Sequence, residues 1–188
     1  MGGLTTQPSF RKWGWRILTA ILIFLAVGSF WYWRNQQHFG KAFNQYHALV
    51  TPPLQQVIDS IEHSEAVIPV WSPVTRLISG LEAFKKKNFG AAAMYLGEVP
   101  GLPSAFQPYQ NLYLGRSLLA QRQYKAAIAP LQAAALSSTP AIQEEARFYL
   151  ALIYSRTPWE KPQARKIWKE LSVNEKSAFR EAAQGVLE

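Results

Sequence analysis

The strongest constraint on the fold of this chain is an internal repeat with an offset of 35 residues. A glycine, an aromatic residue nine positions later and an alanine three positions further recur in segments 80–92 and 115–127. A third, looser copy begins at Ala151, and its alanine, Ala164, comes one residue late after two prolines. Each copy predicts two amphipathic helices joined by a short polar turn. Because one such pair cannot bury its apolar face alone, we expect about three pairs to stack over residues 72–173.

The second copy carries the pattern most fully. Its characteristic positions are Tyr113, Leu114, Gly115, Leu118, Tyr124, Ala127, Leu131, Ala134 and the closing Pro140. These residues resemble the tetratricopeptide repeat family, although the tryptophan position of that family holds Arg76, Asn111 and Arg147 here. The resemblance implies an all-α solenoid of helical hairpins. Gly80, Gly115 and Ala151 would then allow close approach between the two helices of each hairpin.

The segments around the repeats are also predicted to be helical. After a break at 172–174, residues 174–188 predict a capping helix with a polar outer face. Before the repeats, residues 35–71 predict a juxtamembrane helical stalk, with an amphipathic helix that begins after the Pro52–Pro53 pair.

An apolar run near the N-terminus predicts a membrane anchor. Residues 17–33 contain no charge over 17 positions, and as a helix they would rise roughly 25 Å, the short end for a hydrocarbon core of about 30 Å. A cleaved signal peptide is the rival interpretation, but cleavage after Gly28 would leave Ser-Phe-Trp-Tyr-Trp at the new N-terminus. We therefore expect a transmembrane helix over 17–34 after a basic, aromatic tail over 1–16. Its interfacial anchors are Trp13, Trp15, Arg16, Trp31, Trp33 and Arg34.

The predicted fold class follows from these two features. We expect an all-α protein in which a single N-terminal transmembrane helix precedes a solenoid domain of helical hairpins. Basic residues are slightly more frequent before the apolar run than after it, which favours a cytoplasmic N-terminus. The expected location is a bacterial inner membrane, crossed once, with the C-terminal domain periplasmic or otherwise extracytoplasmic.

The charge distribution favours a lipid bilayer over nucleic acid as a partner. The formal net charge is +8, and residues 1–41 carry five basic and no acidic groups. Basic groups beside a membrane segment are attracted to anionic headgroups. Charges of both signs alternate over the repeats, which is typical of a solvated helical surface. We therefore expect no nucleic-acid partner.

The sequence offers no pattern that indicates catalysis. It has no cysteine, no nucleophile-elbow motif and no phosphate-binding glycine loop, and its three histidines lack the spacing of metal ligands. Glu144 and Glu145 fall in the predicted first turn of a helix, where they would complement the helix dipole. We expect a protein that is not an enzyme and that binds no cofactor or metal.

The resemblance implies a partner-binding groove lined by the first helix of each repeat. Carried onto this chain, the groove-facing positions are Leu77, Leu81, Phe84, Lys85, Tyr109, Leu112, Arg116, Phe148, Leu152 and Arg156. Such a groove is largely apolar and aromatic, with basic side chains at its edge. A second interpretation stays open, in which the chain's own helix over 54–66 fills the groove.

The expected function is protein–protein interaction. The first hypothesis is a non-catalytic, membrane-anchored scaffold or accessory subunit that contacts other subunits of a membrane protein complex. The alternative is a periplasmic assembly factor or chaperone-like adaptor that binds client peptides transiently in the groove.

Overall fold

The computed structural model describes residues 20–30, 54–64, 72–97 and 99–187. Within these residues the chain forms nine helices and no strand. Helical residues 20–30, α1, belong to a compact unit Met1–Gln45, and the other eight helices belong to a second unit, Tyr46–Glu188. The helices of the second unit are α2 Leu54–Ser64, α3 Pro73–Lys85, α4 Phe89–Gly97, α5 Gln107–Ala120, α6 Tyr124–Ala134, α7 Pro140–Tyr154, α8 Lys161–Val173 and α9 Arg180–Leu187.

The prediction of a transmembrane helix over residues 17–34 is wrong. None of the helices in the described part combines the length and the hydropathy that a membrane crossing needs. The single-pass inner-membrane location and its orientation depended on this helix and are wrong with it.

Other parts of the N-terminal prediction fall on residues that the structure does not describe. The tail 1–16 lies outside the described residues. So do all six proposed anchor residues, namely Trp13, Trp15, Arg16, Trp31, Trp33 and Arg34. Of the predicted stalk over 35–71, the structure describes residues 54–64, which form α2 and pack against α3.

Prolines fix where four of the helices begin. Pro73, Pro108, Pro140 and Pro162 each occupy one of the first two positions of a helix, where the missing N–H would have no intrahelical partner in any case. At α3 the start is reinforced by Ser72, whose hydroxyl oxygen accepts a hydrogen bond from the backbone N–H of Thr75 at 3.1 Å.

The turns inside the first two hairpins are copies of each other. Lys87 and Arg122, 35 residues apart, both have positive φ, of 58° and 61°. In each turn the next backbone N–H donates to a carbonyl five residues back at 2.9 Å, from Asn88 to Ala83 and from Gln123 to Leu118. This is the Schellman arrangement that ends helices with one left-handed residue. The repeat seen in the sequence therefore extends to the backbone conformation.

The hairpins α3–α4, α5–α6 and α7–α8 stack in chain order. Each helix from α2 to α9 packs on the next, and contacts also join α3 to α5 and α5 to α7. Two glycines permit the close packing inside the hairpins. A Cβ on Gly80 would lie 2.6 Å from Leu96 Cγ, and a Cβ on Gly115 would lie 2.5 Å from Leu131 Cγ. The leucines, like the glycines, are 35 residues apart, so one contact is repeated in successive hairpins.

The last helix closes the apolar end of the stack. Phe179, Ala182 and Ala183 are buried where α9 packs on α8, whereas Arg180 and Gln184 are exposed. A buried inner face with a polar outer face lets the stack end without exposing its core.

Candidate interaction surface

The structure buries most of the side chains predicted to line a groove. Three are accessible: Lys85 is exposed, and Tyr109 and Arg156 are half-buried. The seven buried ones are Leu77, Leu81, Phe84, Leu112, Arg116, Phe148 and Leu152. In this conformation the buried seven contribute to the core, and a partner could reach only the other three directly.

Helix α2 accounts for part of this burial. It packs against α3, and its apolar residues Val57, Ile58 and Ile61 are all buried. At the edge of this contact the ammonium of Lys85 donates to the side-chain oxygen of Gln55. Of the two interpretations left open by the sequence, the position of α2 agrees with the one in which the chain covers its own first repeat.

Two of the predicted residues meet in a buried cluster that joins three hairpins. We call it the Arg116 cluster: Phe84 from α3, Tyr113 and Arg116 from α5, and Glu145 and Tyr149 from α7. The guanidinium carbon of Arg116 lies 4.8 Å from the ring centre of Phe84, 5.2 Å from that of Tyr113 and 5.4 Å from that of Tyr149. Such distances allow cation–π attraction to all three rings.

An ion pair forms the centre of the Arg116 cluster. Arg116 Nη1 donates to Glu145 Oε1 at 2.6 Å, and the two residues are only 3% and 2% exposed. Burial raises the pKa of Glu145 to about 7, although the guanidinium of Arg116 opposes this shift. Burial likewise raises the pKa of Tyr149. Removing either charge would leave the other buried and uncompensated, which typically costs about 3–5 kcal/mol. The cluster therefore links α5 to α7 and is closed to external ligands.

The earlier interpretation of Glu144 and Glu145 as first-turn residues is wrong. Helix α7 begins at Pro140, so both glutamates lie beyond its first turn. Glu145 pairs with Arg116, and Glu144 accepts a hydrogen bond from the side-chain amide of Asn174.

The remaining predicted groove residues lie in other environments. Phe148 stacks on Phe179 with ring centres 4.5 Å apart, and it meets Trp168 edge-on at 5.4 Å. Arg156 lies 3.9 Å above the ring of Tyr124, so it bridges α6 and the end of α7. Seven of the ten residues thus belong to the core, and the ten together do not form one continuous open groove.

Open concave surface occurs instead elsewhere in the described part of the fold, and two of these places are clefts that the sequence did not predict. The α3 cleft has a volume of about 500 Å³ and is lined in part by Ser72, Arg76, Ser79, Met94, Tyr95 and Pro100. The α7 cleft has a volume of about 490 Å³ and is lined in part by Leu136, Arg147, Leu150, Tyr154, Lys166 and Ile167.

The two clefts use equivalent positions of the repeat. Arg76 and Arg147, which lie at equivalent positions of the first and third repeat copies, line one cleft each. Arg76 donates to the carbonyl oxygens of Tyr95 at 3.2 Å and Met94 at 3.4 Å, while Arg147 pairs with Glu170 on α8. The recurrence of arginine at this position was the sequence signal for these clefts. In both clefts the arginine bonds to the next helix of its hairpin.

The α7 cleft combines an apolar floor with a charged rim. Leu150 and Tyr154 form part of the floor and are themselves packed into the core, and Ile167 is half-buried. Leu136, at the end of α6, is 86% exposed. Within the described ranges no group of three His, Asp or Glu side chains could hold a metal ion. The chemistry available here is apolar and ionic contact with another molecule.

Neither a protein-family model, nor a curated protein, nor a solved structure matches this chain.

Proposed function

We propose that this chain is a non-catalytic scaffold of the tetratricopeptide type that binds another protein, and that the α7 cleft is its binding site. The observation that carries the proposal is the α7 cleft itself, an open concavity of about 490 Å³ between helices of a stacked repeat array. Stacked helical repeats provide extended concave surfaces of this kind, and their known use is recognition of partners.

The contacts inside the fold favour the α7 cleft over the groove expected from the sequence. Seven of the ten expected groove residues are buried in the core, so a partner would have to displace packing interactions to reach them. The α7 cleft requires no such displacement, because Leu136 is exposed and the floor residues are already supported by the core. A site preformed on rigid elements binds at a lower entropic cost than one that must be opened.

Site-specific photocrosslinking in the source cell tests the proposal. A benzophenone amino acid replaces Leu136 in one variant and Lys125 in a matched control, since both side chains are exposed and both lie on or directly after α6. We expect a discrete crosslinked protein from position 136 and none from position 125. Crosslinks of equal yield from both positions, or from neither, would contradict a binding role for the cleft.

The same crosslinks distinguish a scaffold subunit from a transient adaptor. A subunit retains its partner in stoichiometric amount through repeated washing before crosslinking, whereas an adaptor loses it. We propose the subunit, because the helices that line the cleft are fixed by core packing on both sides. Loss of the partner on washing would favour the adaptor.

A further inference from the structure

The exposed side of α8 is strongly basic. Four of its 13 residues are exposed lysines or arginines: Lys161, Arg165, Lys166 and Lys169. Residues four apart lie on one face of a helix, so Lys161, Arg165 and Lys169 form one row. Lys166 lies beside this row, on the side toward the cleft. The one acidic residue of α8, Glu170, is paired with Arg147.

This positive charge borders the α7 cleft directly. Lys166 is one of the lining residues, and neither it nor Arg165 nor Lys169 forms an ion pair with any described residue. The Arg147–Glu170 pair on the rim adds no net charge. Among the lining residues, Lys166 therefore gives the cleft its net positive charge.

Apolar contacts are available in the same cleft. Leu136 extends from the end of α6, and Leu150 and Ile167 add apolar surface to the lining. A single exposed leucine is ordinary on a protein surface, and it becomes informative here only because it adjoins an open apolar concavity.

We propose that the α7 cleft holds an acidic amphipathic helix of the partner protein. Its apolar residues, at positions i, i+3 or i+4, and i+7, pack on Leu136, Leu150 and Ile167, and a carboxylate faces Lys166 on the rim. Helix-in-groove recognition uses this spacing, and complementary charge sets the orientation and accelerates association. This inference rests on the proposed function and specifies the chemistry of the bound segment.

A displayed library of random 15-residue peptides tests the inference against the full-length chain. We expect the enriched peptides to be acidic, with apolar residues at helical spacing, and to bind more weakly as the salt concentration rises. Enriched peptides without an acidic bias, or no enrichment at all, would overturn it.

Variants locate the binding of an enriched acidic peptide. Lys166→Glu and Leu136→Ser should each weaken the peptide about tenfold, because one reverses a rim charge and the other removes an apolar contact. Lys125→Glu is the matched control, since it makes the same charge change on the exposed surface of α6 and should leave affinity unchanged. We expect all three variants to fold, because the substituted side chains are exposed. The helical signal in circular dichroism checks this.

The outcomes separate this inference from the proposed function. Peptides that bind at the cleft through apolar contacts alone leave the scaffold proposal standing and refute the acidic helix. Equal loss of affinity in Lys125→Glu also refutes it, because attraction would then come from overall charge. Two direct measurements test for other occupants. If the full-length chain binds anionic phosphatidylserine vesicles and Lys166→Glu abolishes this binding, the cleft contacts a lipid surface. A dimer in sedimentation that Leu136→Ser dissociates would indicate a second copy.

Discussion

Replacing Gly115 with alanine tests the closest helix contact in the fold. A Cβ at this position would lie 2.5 Å from Leu131 Cγ, 2.7 Å from Leu131 Cδ2 and 3.4 Å from the Leu131 backbone nitrogen. Carbon atoms attract most strongly at about 3.5–4.0 Å, so the added methyl group overlaps the leucine by roughly 1 Å. Leu131 has no exposed surface into which it could rotate. The two helices α5 and α6 must therefore separate.

The magnitude comes from two opposing effects. Overpacking of this kind typically costs about 1–3 kcal/mol. Alanine in place of glycine inside a helix contributes up to about 1 kcal/mol in the other direction. Gly90→Ala in α4 is the matched control, because its Cβ would meet nothing closer than 4.0 Å and the residue is exposed. The difference in unfolding free energy between the two variants isolates the steric cost, which we expect to be about 1–3 kcal/mol.

Thermal and urea unfolding followed by circular dichroism measure this difference. For a chain of this length, 1 kcal/mol shifts Tm by about 2–4 °C, so Gly115→Ala should melt several degrees below Gly90→Ala. A second substitution, Leu131→Ala, removes the clashing atoms, and the double variant should lose less stability than the two single losses added together. A Tm for Gly115→Ala equal to or above that of Gly90→Ala would refute the reasoning.

Three further predictions follow from the repeat and from the buried ion pair. Gly80→Ala should lower stability as much as Gly115→Ala does, since its Cβ would lie 2.6 Å from Leu96 Cγ; a neutral effect in urea unfolding would contradict the equivalence of the two hairpins. Lys87→Gly should raise stability by about 0.5–1 kcal/mol, because glycine adopts the φ of 58° without a Cβ penalty, and an unchanged or lower Tm would contradict this. Because the pKa of Glu145 is raised from 4.5 to about 7 in the folded state, its contribution to stability is fully present below pH 4.5 and is lost as the pH rises through 7. Glu145→Gln should therefore lack this decline between pH 4.5 and 7, because the glutamine amide does not titrate; an identical slope in urea titrations of both proteins would refute it.

Local sequence determined the helical hairpins. The offset of 35 residues places Gly80 and Gly115 at the same close contact, and prolines mark the starts of α3, α5, α7 and α8. The helix starts depend on neighbours within one turn, and each glycine contact lies within a single hairpin, so a repeat of this length records both. Residue composition was less informative for the apolar run 17–33. A count of uncharged residues does not establish a helix long enough to cross a membrane, and the described helix there covers residues 20–30.

The residue types did not predict the backbone conformation of the turns. Lys87 and Arg122 adopt the left-handed conformation that usually selects glycine or asparagine. The close packing of each hairpin requires the chain to reverse at that residue, and it does so despite the local preference of lysine and arginine.

The burial of the predicted groove residues was decided by tertiary structure alone. The family resemblance assigned Arg116 to an open groove together with Phe84 and Leu112, and arginine is rarely buried without a partner. The partner, Glu145, comes from the next hairpin, 29 residues along the chain, and makes burial of the arginine possible. A helical pattern shows which residues share a face, but what covers that face depends on contacts between residues far apart in sequence. For this reason most of the predicted groove residues are part of the core. The α7 cleft, where Arg147 pairs with Glu170, is open.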